Sequence, residues 1–349
     1  MNNERKYKFM PQKETGRLSE SDTKKYYSTI GFAVTAFLLA TYGSVLVVST
    51  VCRQWFPWVL ENEILSNLIS VICQYGIGTL ALLAVLKKLP KDANPKEKLK
   101  FGQFMGFFCV CSTFMLVGSN ISSSLMGIVE IWLDKDVVNP VVSSTSGTHW
   151  AINLVFYAIL APIIEEIVFR KIVCDHLLPL GEMSAIVISA AIFGLIHGNF
   201  YQFFYAFLVG AIFSYVYIKT GSLLYTTVIH IIINLFGGVI SPWAIDAITE
   251  EGLMQVLESI INVDFEGFMA AAQLYALPLI ALLVYSLIMD VCSIIGFVLL
   301  MKNLKKIRFS EGLLRPAEEN QMSNFFLNGG VCAAITMFTG VFLLSLFKN

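Results

Sequence analysis

The stretch AINLVFYAILAPIIEEIVFR, residues 151–170, is an apolar run of membrane length that carries Glu165, Glu166 and Arg170 in its second half. About 20 apolar residues cross a bilayer, and one charge near the centre costs about 2.5–3.5 kcal/mol on insertion scales. Three charges in one run need a reason. Glu166 and Arg170 are four apart with the acid N-terminal to the base, the favourable orientation for a helical ion pair. Arg170 and Lys171 also suit a helix end at a membrane face, where long basic side chains reach water. Glu165, about 100° around the helix from Glu166, stays unexplained by that pair.

The rest of the chain has the same character. Hydrophobic residues make up 56% of the 349 and charged residues 14%, against roughly 25% charged in soluble domains, and the mean hydropathy is +0.70. The expected fold is all-α, a polytopic membrane bundle of eight or nine helices. The spans fall at 27–51, 64–86, 101–128, 151–172, 183–199, 202–218, 222–240, 270–300 and 325–347, the fifth and sixth short and nearly abutting. The first exceeds the roughly 7–15 residues of a signal-peptide core and reads as a retained helix. The chain then divides into a flexible polar tail (1–26), N-terminal membrane helices (27–149), a core (150–240), an acidic loop with room for an interfacial helix (241–269) and C-terminal membrane helices (270–349).

The charges orient this map. With the N-terminus in the cytoplasm, all of the 24 Lys and Arg except Arg53, Lys135 and Lys348 fall on the cytoplasmic side, as the positive-inside rule requires. The 241–269 loop holds acids and no Lys or Arg, and so lies outside. The net charge of −1 singles out no partner, and without a basic stripe nucleic acid is not expected as one. The seven cysteines are spaced neither as a disulfide framework nor as a zinc knuckle and read as small buried hydrophobes. No internal repeat is visible, which weakens an inverted-repeat transporter.

Two later runs also carry polar groups. AAIFGLIHGNF (190–200) sets His197 one turn after Phe193, and TTVIHIIINLFG (226–237) puts His230 and Asn234 on one helix face, four apart. A lone apolar-face histidine is more often structural than functional. Three successive segments that each offer such a group are another matter, because in a bundle they can converge on one wet cavity. A carboxylate, two imidazoles and a carboxamide suffice to activate water and to stabilise an oxyanion. Of the remaining polar residues, Gln74 reads as an interhelical donor, and Asn120 with Ser119, Ser122, Ser123 and Ser124 reads either as helix glue or as an unwound end of the third span. Tyr201, Phe203, Phe204 and Tyr205 read as an interfacial belt.

EEIVFR, FGLIH and HIIIN, in this order, resemble the EExxxR, FxxxH and HxxxN motifs of the CAAX protease and bacteriocin-processing (CPBP, or Abi) intramembrane proteases, which include type II CAAX prenyl endopeptidases. TGSLLYTTVIHIIIN (220–234) resembles the family's approach to the third motif, and the likeness covers about 150–240, the catalytic core. It implies an intramembrane endopeptidase. Glu165 would be the general base, His197 would help to hold water or a metal, and His230 with Asn234 would form the oxyanion hole. Glu166, Arg170 and Phe193 would support them. The family has been described both as zinc-dependent, with Glu165, His197 and His230 as the ligand set here, and as metal-free. The metal-free reading is preferred, since no HExxH is present and the pairs divide into base and oxyanion hole.

The resemblance further implies a membrane-associated or lipid-anchored peptide or protein as substrate and the bilayer as medium. A eukaryotic relative would trim a prenylated protein. A bacterial cytoplasmic membrane is the expected location here, with a pheromone, bacteriocin or other membrane protein as substrate. Because the EExxxR helix ends inside, the cavity is expected to open to the cytoplasmic leaflet. The competing readings are a non-catalytic immunity or scaffold protein of the same fold and a proton-coupled transporter.

Overall fold

A computed structural model describes residues 16–93 and 97–347. Its long apolar helices and one shorter one are α1 (Glu20–Trp55), α2 (Glu63–Leu86), α3 (Phe101–Leu133), α4 (Trp150–Leu180), the shorter α5 (Glu182–Leu195), α6 (Phe200–Thr220), α7 (Leu223–Ala247), α8 (Ala276–Lys306) and α9 (Gly329–Phe347). Among the described residues, all of these but α5 are long and apolar enough to cross a membrane, which makes eight. α5 has 14 residues, about 21 Å at 1.5 Å per residue.

The polar ends of the helices gather on two faces, and this shows what α5 does. On one face Lys219 Nζ lies 2.5 Å from Glu182 Oε2, which also accepts from Ser310 N (2.9 Å). Asp92 N donates to Asp175 O (2.9 Å) and Glu97 N to Thr220 O (2.7 Å). On the opposite face Gly147 N donates to Asp246 Oδ2 (2.8 Å), Tyr201 Oη meets Glu130 Oε1 (2.7 Å), and Phe200 stacks edge-on against Phe342. Glu182 opens α5 on the first face and Phe200 follows it on the second, so α5 and its exit turn carry the chain across. The ambiguity between eight and nine spans is this short helix.

Most described Lys and Arg lie on the first face, and Arg53 and Lys135 on the second. That first face is also tied together by backbone. The strand β1 (Gly16–Arg17) pairs in parallel with β2 (Leu314–Arg315), Leu18 N donates to Arg315 O (2.8 Å), and Ala317 N donates to Thr23 Oγ1 (3.0 Å). The part of the tail over 16–26 is therefore not free: it is strand, then helix from Glu20, capped by Ser19 accepting from Asp22 N (3.1 Å). The tail's first 15 residues and Lys348 lie outside the described residues.

The acidic 241–269 segment is mostly helical rather than a loop. α7 continues to Ala247, and two helices follow, Glu250–Ile261 and Phe265–Leu274. Leu253, Leu257, Ile260 and Ile261 are exposed on the first of them beside Glu251 and Glu258, the pattern of a helix lying at a membrane surface.

Glycines set the closest crossings. A methyl on Gly31 of α1 would lie 2.2 Å from the Gly330 carbonyl carbon of α9, and one on Gly296 of α8 would lie 2.0 Å from Cys109 O of α3. Only hydrogen fits at such contacts, which is how apolar helices gain packing without a solvent-driven term. Within α4, Pro162 supplies no N–H and its ring excludes the carbonyl four residues earlier. The helix answers with wide π-winding at Asn153–Leu160 and Glu166–Cys174, either side of the α-turn Ala161–Glu165.

Candidate active site

The α-turn after Pro162 presents Glu165 and Glu166 in opposite senses. Glu165 borders a cavity of about 680 Å³, which His197, His230 and Asn234 also line. Glu166 and Arg170 are 0% exposed and stand behind it. Four residues from three separated stretches thus share one cavity, and the two charges read as supporting them form its back wall.

The back wall is a relay of hydrogen bonds. Arg170 Nε donates to Glu166 Oε2 (3.2 Å), and Arg170 Nη1 reaches Ser189 Oγ (3.3 Å) and Ser214 Oγ (3.4 Å). The guanidinium lies over the Phe193 ring (4.7 Å to the centroid) and near Phe213 (5.6 Å), a stacked geometry that only a planar cation offers. The other Glu166 oxygen, Oε1, faces His230 Nδ1 at 3.2 Å. A carboxylate can only accept, so Nδ1 carries the proton and Nε2 points at Glu165 Oε2, 3.6 Å away. Glu166 therefore spans two motifs: it neutralises Arg170 and orients His230, the part a carboxylate plays behind a catalytic imidazole. The sequence shows only its pairing with Arg170.

His197 Nδ1 lies 2.8 Å from Phe193 O, so its Nε2 is the bare nitrogen. Phe193 touches both imidazoles edge-on, with centroids 5.1 Å from His197 and 5.8 Å from His230. It is the spacer between them and not merely a neighbour of His197. Asn234 Nδ2 donates to Tyr157 O (2.9 Å), which fixes the carboxamide and leaves its second N–H for the cavity.

Sequence reasoning missed Tyr75, whose hydroxyl donates to Glu165 Oε1. It comes from α2, in a π-wound stretch, Ile72–Ile77, far from the three motifs. No motif marks it, and only the docking of α2 reveals it. Tyr201 and Tyr205, read as belt residues, line the cavity, as does Gln74. Asn120 is exposed and donates to Leu116 O of its own helix (2.8 Å) rather than gluing two together.

The cavity does not open where expected. Its lining runs from Glu165 through Asn67 and Ser70 of α2, Ser123 of α3, and Asn139 and Ser144 of the segment before α4. These belong to the face of Gly147 and Asp246, opposite the basic one. Toward the basic face Val168, Phe169, Val173, Cys174, Leu177 and Leu178 pack into the main apolar core and close the floor. Where the EExxxR helix ends does not decide the opening; which half of the bundle is filled with apolar side chains does.

Glu165, His197 and His230 do not close into a group that could hold a metal ion, and no such group occurs among the described residues. In this arrangement the donor set does not fit a zinc ion.

Eight membrane-length helices among the described residues, bundled around a cavity bordered by a carboxylate, two imidazoles and a carboxamide, define the class as a polytopic membrane protein. Residues 147–236 match the family model of the Rce1-like type II CAAX prenyl endopeptidases, consistent with the CPBP resemblance of the motifs. The match covers the stretch holding all four cavity residues and ends before the C-terminal helices. No curated protein and no solved structure matches the chain. Membrane-length helices and this match together make the chain an integral membrane protein with a stretch similar to the Rce1-like endopeptidases.

Proposed function

We propose that this protein hydrolyses a peptide bond of a membrane-associated protein or peptide, with Glu165 as general base. The observation that supports it is the shared cavity: Glu165, His197, His230 and Asn234 line one space while Glu166 and Arg170 hold the scaffold from behind. In this mechanism Glu165 takes a proton from a water that the bare Nε2 of His197 helps to hold. The oxygen adds to the scissile carbonyl carbon. The resulting oxyanion accepts from Asn234 Nδ2 and from His230 Nε2, which donates when the ring carries both protons. The C–N bond then breaks, Glu165 returns its proton to the departing nitrogen, and an acid and an amine leave. Tyr75 holds Glu165 from the far side.

The test is a comparison of membrane and secreted peptides from cells carrying the wild type or Glu165→Gln at equal membrane abundance. Defined fragments that vanish in Glu165→Gln, and also in His197→Ala, establish the protease. Unchanged profiles alongside a phenotype on deleting the whole protein would leave the immunity or scaffold role.

A further inference from the structure

The cavity leads to the face poor in Lys and Arg, and its largely apolar walls carry neutral hydrogen-bonding groups among them. Asn67, Ser70, Gln74, Ser123, Ser144 and Gln202 line it with neutral hydrogen-bonding groups, and the titratable acids and bases along it are confined to Glu165, His197 and His230, with tyrosines beside them. An extended peptide main chain offers a donor and an acceptor at each residue, and hydroxyl and carboxamide groups along the walls can meet them while the apolar lining takes its side chains. Ser70, Ser123 and Ser144 are exposed at the mouth, where a chain can enter from water.

Sidedness follows from charge. The face opposite the mouth carries Lys87, Lys88, Lys98, Lys100, Lys302, Lys305, Lys306 and Arg308, whereas the mouth face carries Arg53 and Lys135 with Glu251, Glu258, Asp264 and Glu266. Cytoplasmic loops hold the Lys and Arg excess, so the mouth looks out of the cell. We infer that the substrate is the extended, uncharged stretch of a membrane-anchored protein or peptide presented from the extracytoplasmic side, and not a prenylated chain end arriving from the cytoplasm. This rests on the protease reading for its chemistry, and on the cavity and the charge pattern for its direction.

Two measurements separate the claims. Ser144→Cys at the mouth and Lys305→Cys on the basic face, each in the full chain, are treated with a membrane-impermeant maleimide, and labelling is read at that residue by peptide mass spectrometry. In intact cells Ser144→Cys labels at least tenfold more than Lys305→Cys, and in inside-out vesicles the order reverses. The opposite order overturns the inference while leaving the protease reading intact. Mapping the Glu165-dependent fragments supplies the second measurement. Cuts in extracytoplasmic segments support the inference, and cuts in cytoplasmic ones overturn it. No Glu165-dependent fragment at all removes the protease reading and this substrate class with it, the labelling then reporting only which way the cavity faces.

Discussion

Glu166 is the residue on which the site's order depends, because its two oxygens serve two helices. One neutralises Arg170 and the other holds His230. Glu166→Gln leaves the guanidinium buried with no countercharge, and breaking a buried pair from one side costs about 3–5 kcal/mol. Thermal unfolding in detergent should show that loss, with proteolysis falling too because His230 is released. Arg170→Lys keeps the charge but forfeits the bonds to Ser189 and Ser214 and the stacking on Phe193, so it too lowers the melting temperature. Tyr75→Phe removes one hydroxyl from a residue that packs against the cavity. It should unfold like the wild type while turnover falls on the order of 10²-fold, the usual cost of a loosened reacting group. Equal turnover in Tyr75→Phe and wild type would dismiss Tyr75 as a positioning residue.

At the scale of elements, π-winding borders the cavity on three helices: Ile72–Ile77 holds Tyr75, Asn153–Leu160 holds Tyr157, and Phe236–Ile240 holds Gly237 and Gly238. Wide turns of this kind recur at functional sites because they turn side chains out of the regular register. Restoring an N–H with Pro162→Ala lets α4 wind more regularly and rotates Glu165 away from Tyr75 and His230. The expected result is full membrane abundance and unchanged or higher thermal stability with most of the proteolysis gone. Gly330→Ala acts in the opposite way. Its methyl would lie 1.8 Å from Ser28 O, so α9 must back away from α1, and the melting temperature drops although no cavity residue is touched.

The whole molecule has one filled half and one hollow half. Below Glu165 the bundle is packed and tied across its basic face by β1–β2 and the Lys219–Glu182–Ser310 knot. Above it, α2, α3, α6 and α7 stand around the cavity. A phosphatase inserted after Val263 should be active and a fluorescent protein fused at the 310 loop should mature, since the two positions sit on opposite faces. Phosphatase activity at the 310 loop instead would invert the molecule. Glu182→Ala unties the knot on the basic face, and greater protease sensitivity of the 307–320 segment is the expected readout.

Much of this was legible in the residues alone, for a physical reason. Hydrocarbon accepts helices with apolar surfaces and charges a high free energy for every exception, so the spans, the Lys and Arg asymmetry and the polar residues of the three motifs all stand out against an apolar background. Glu165, His197, His230 and Asn234 could be picked out because an ionisable or amide group there has no cheap structural excuse. What lies between helices left no such mark. That Tyr75 reaches Glu165, that Glu166 serves His230 as well as Arg170, and that Phe193 separates two imidazoles depend on how α2, α4, α5 and α7 dock. The direction of the cavity was misjudged from the end of one helix. It is decided by which half of the bundle apolar side chains fill, a property of packing among distant segments that no single run of sequence carries.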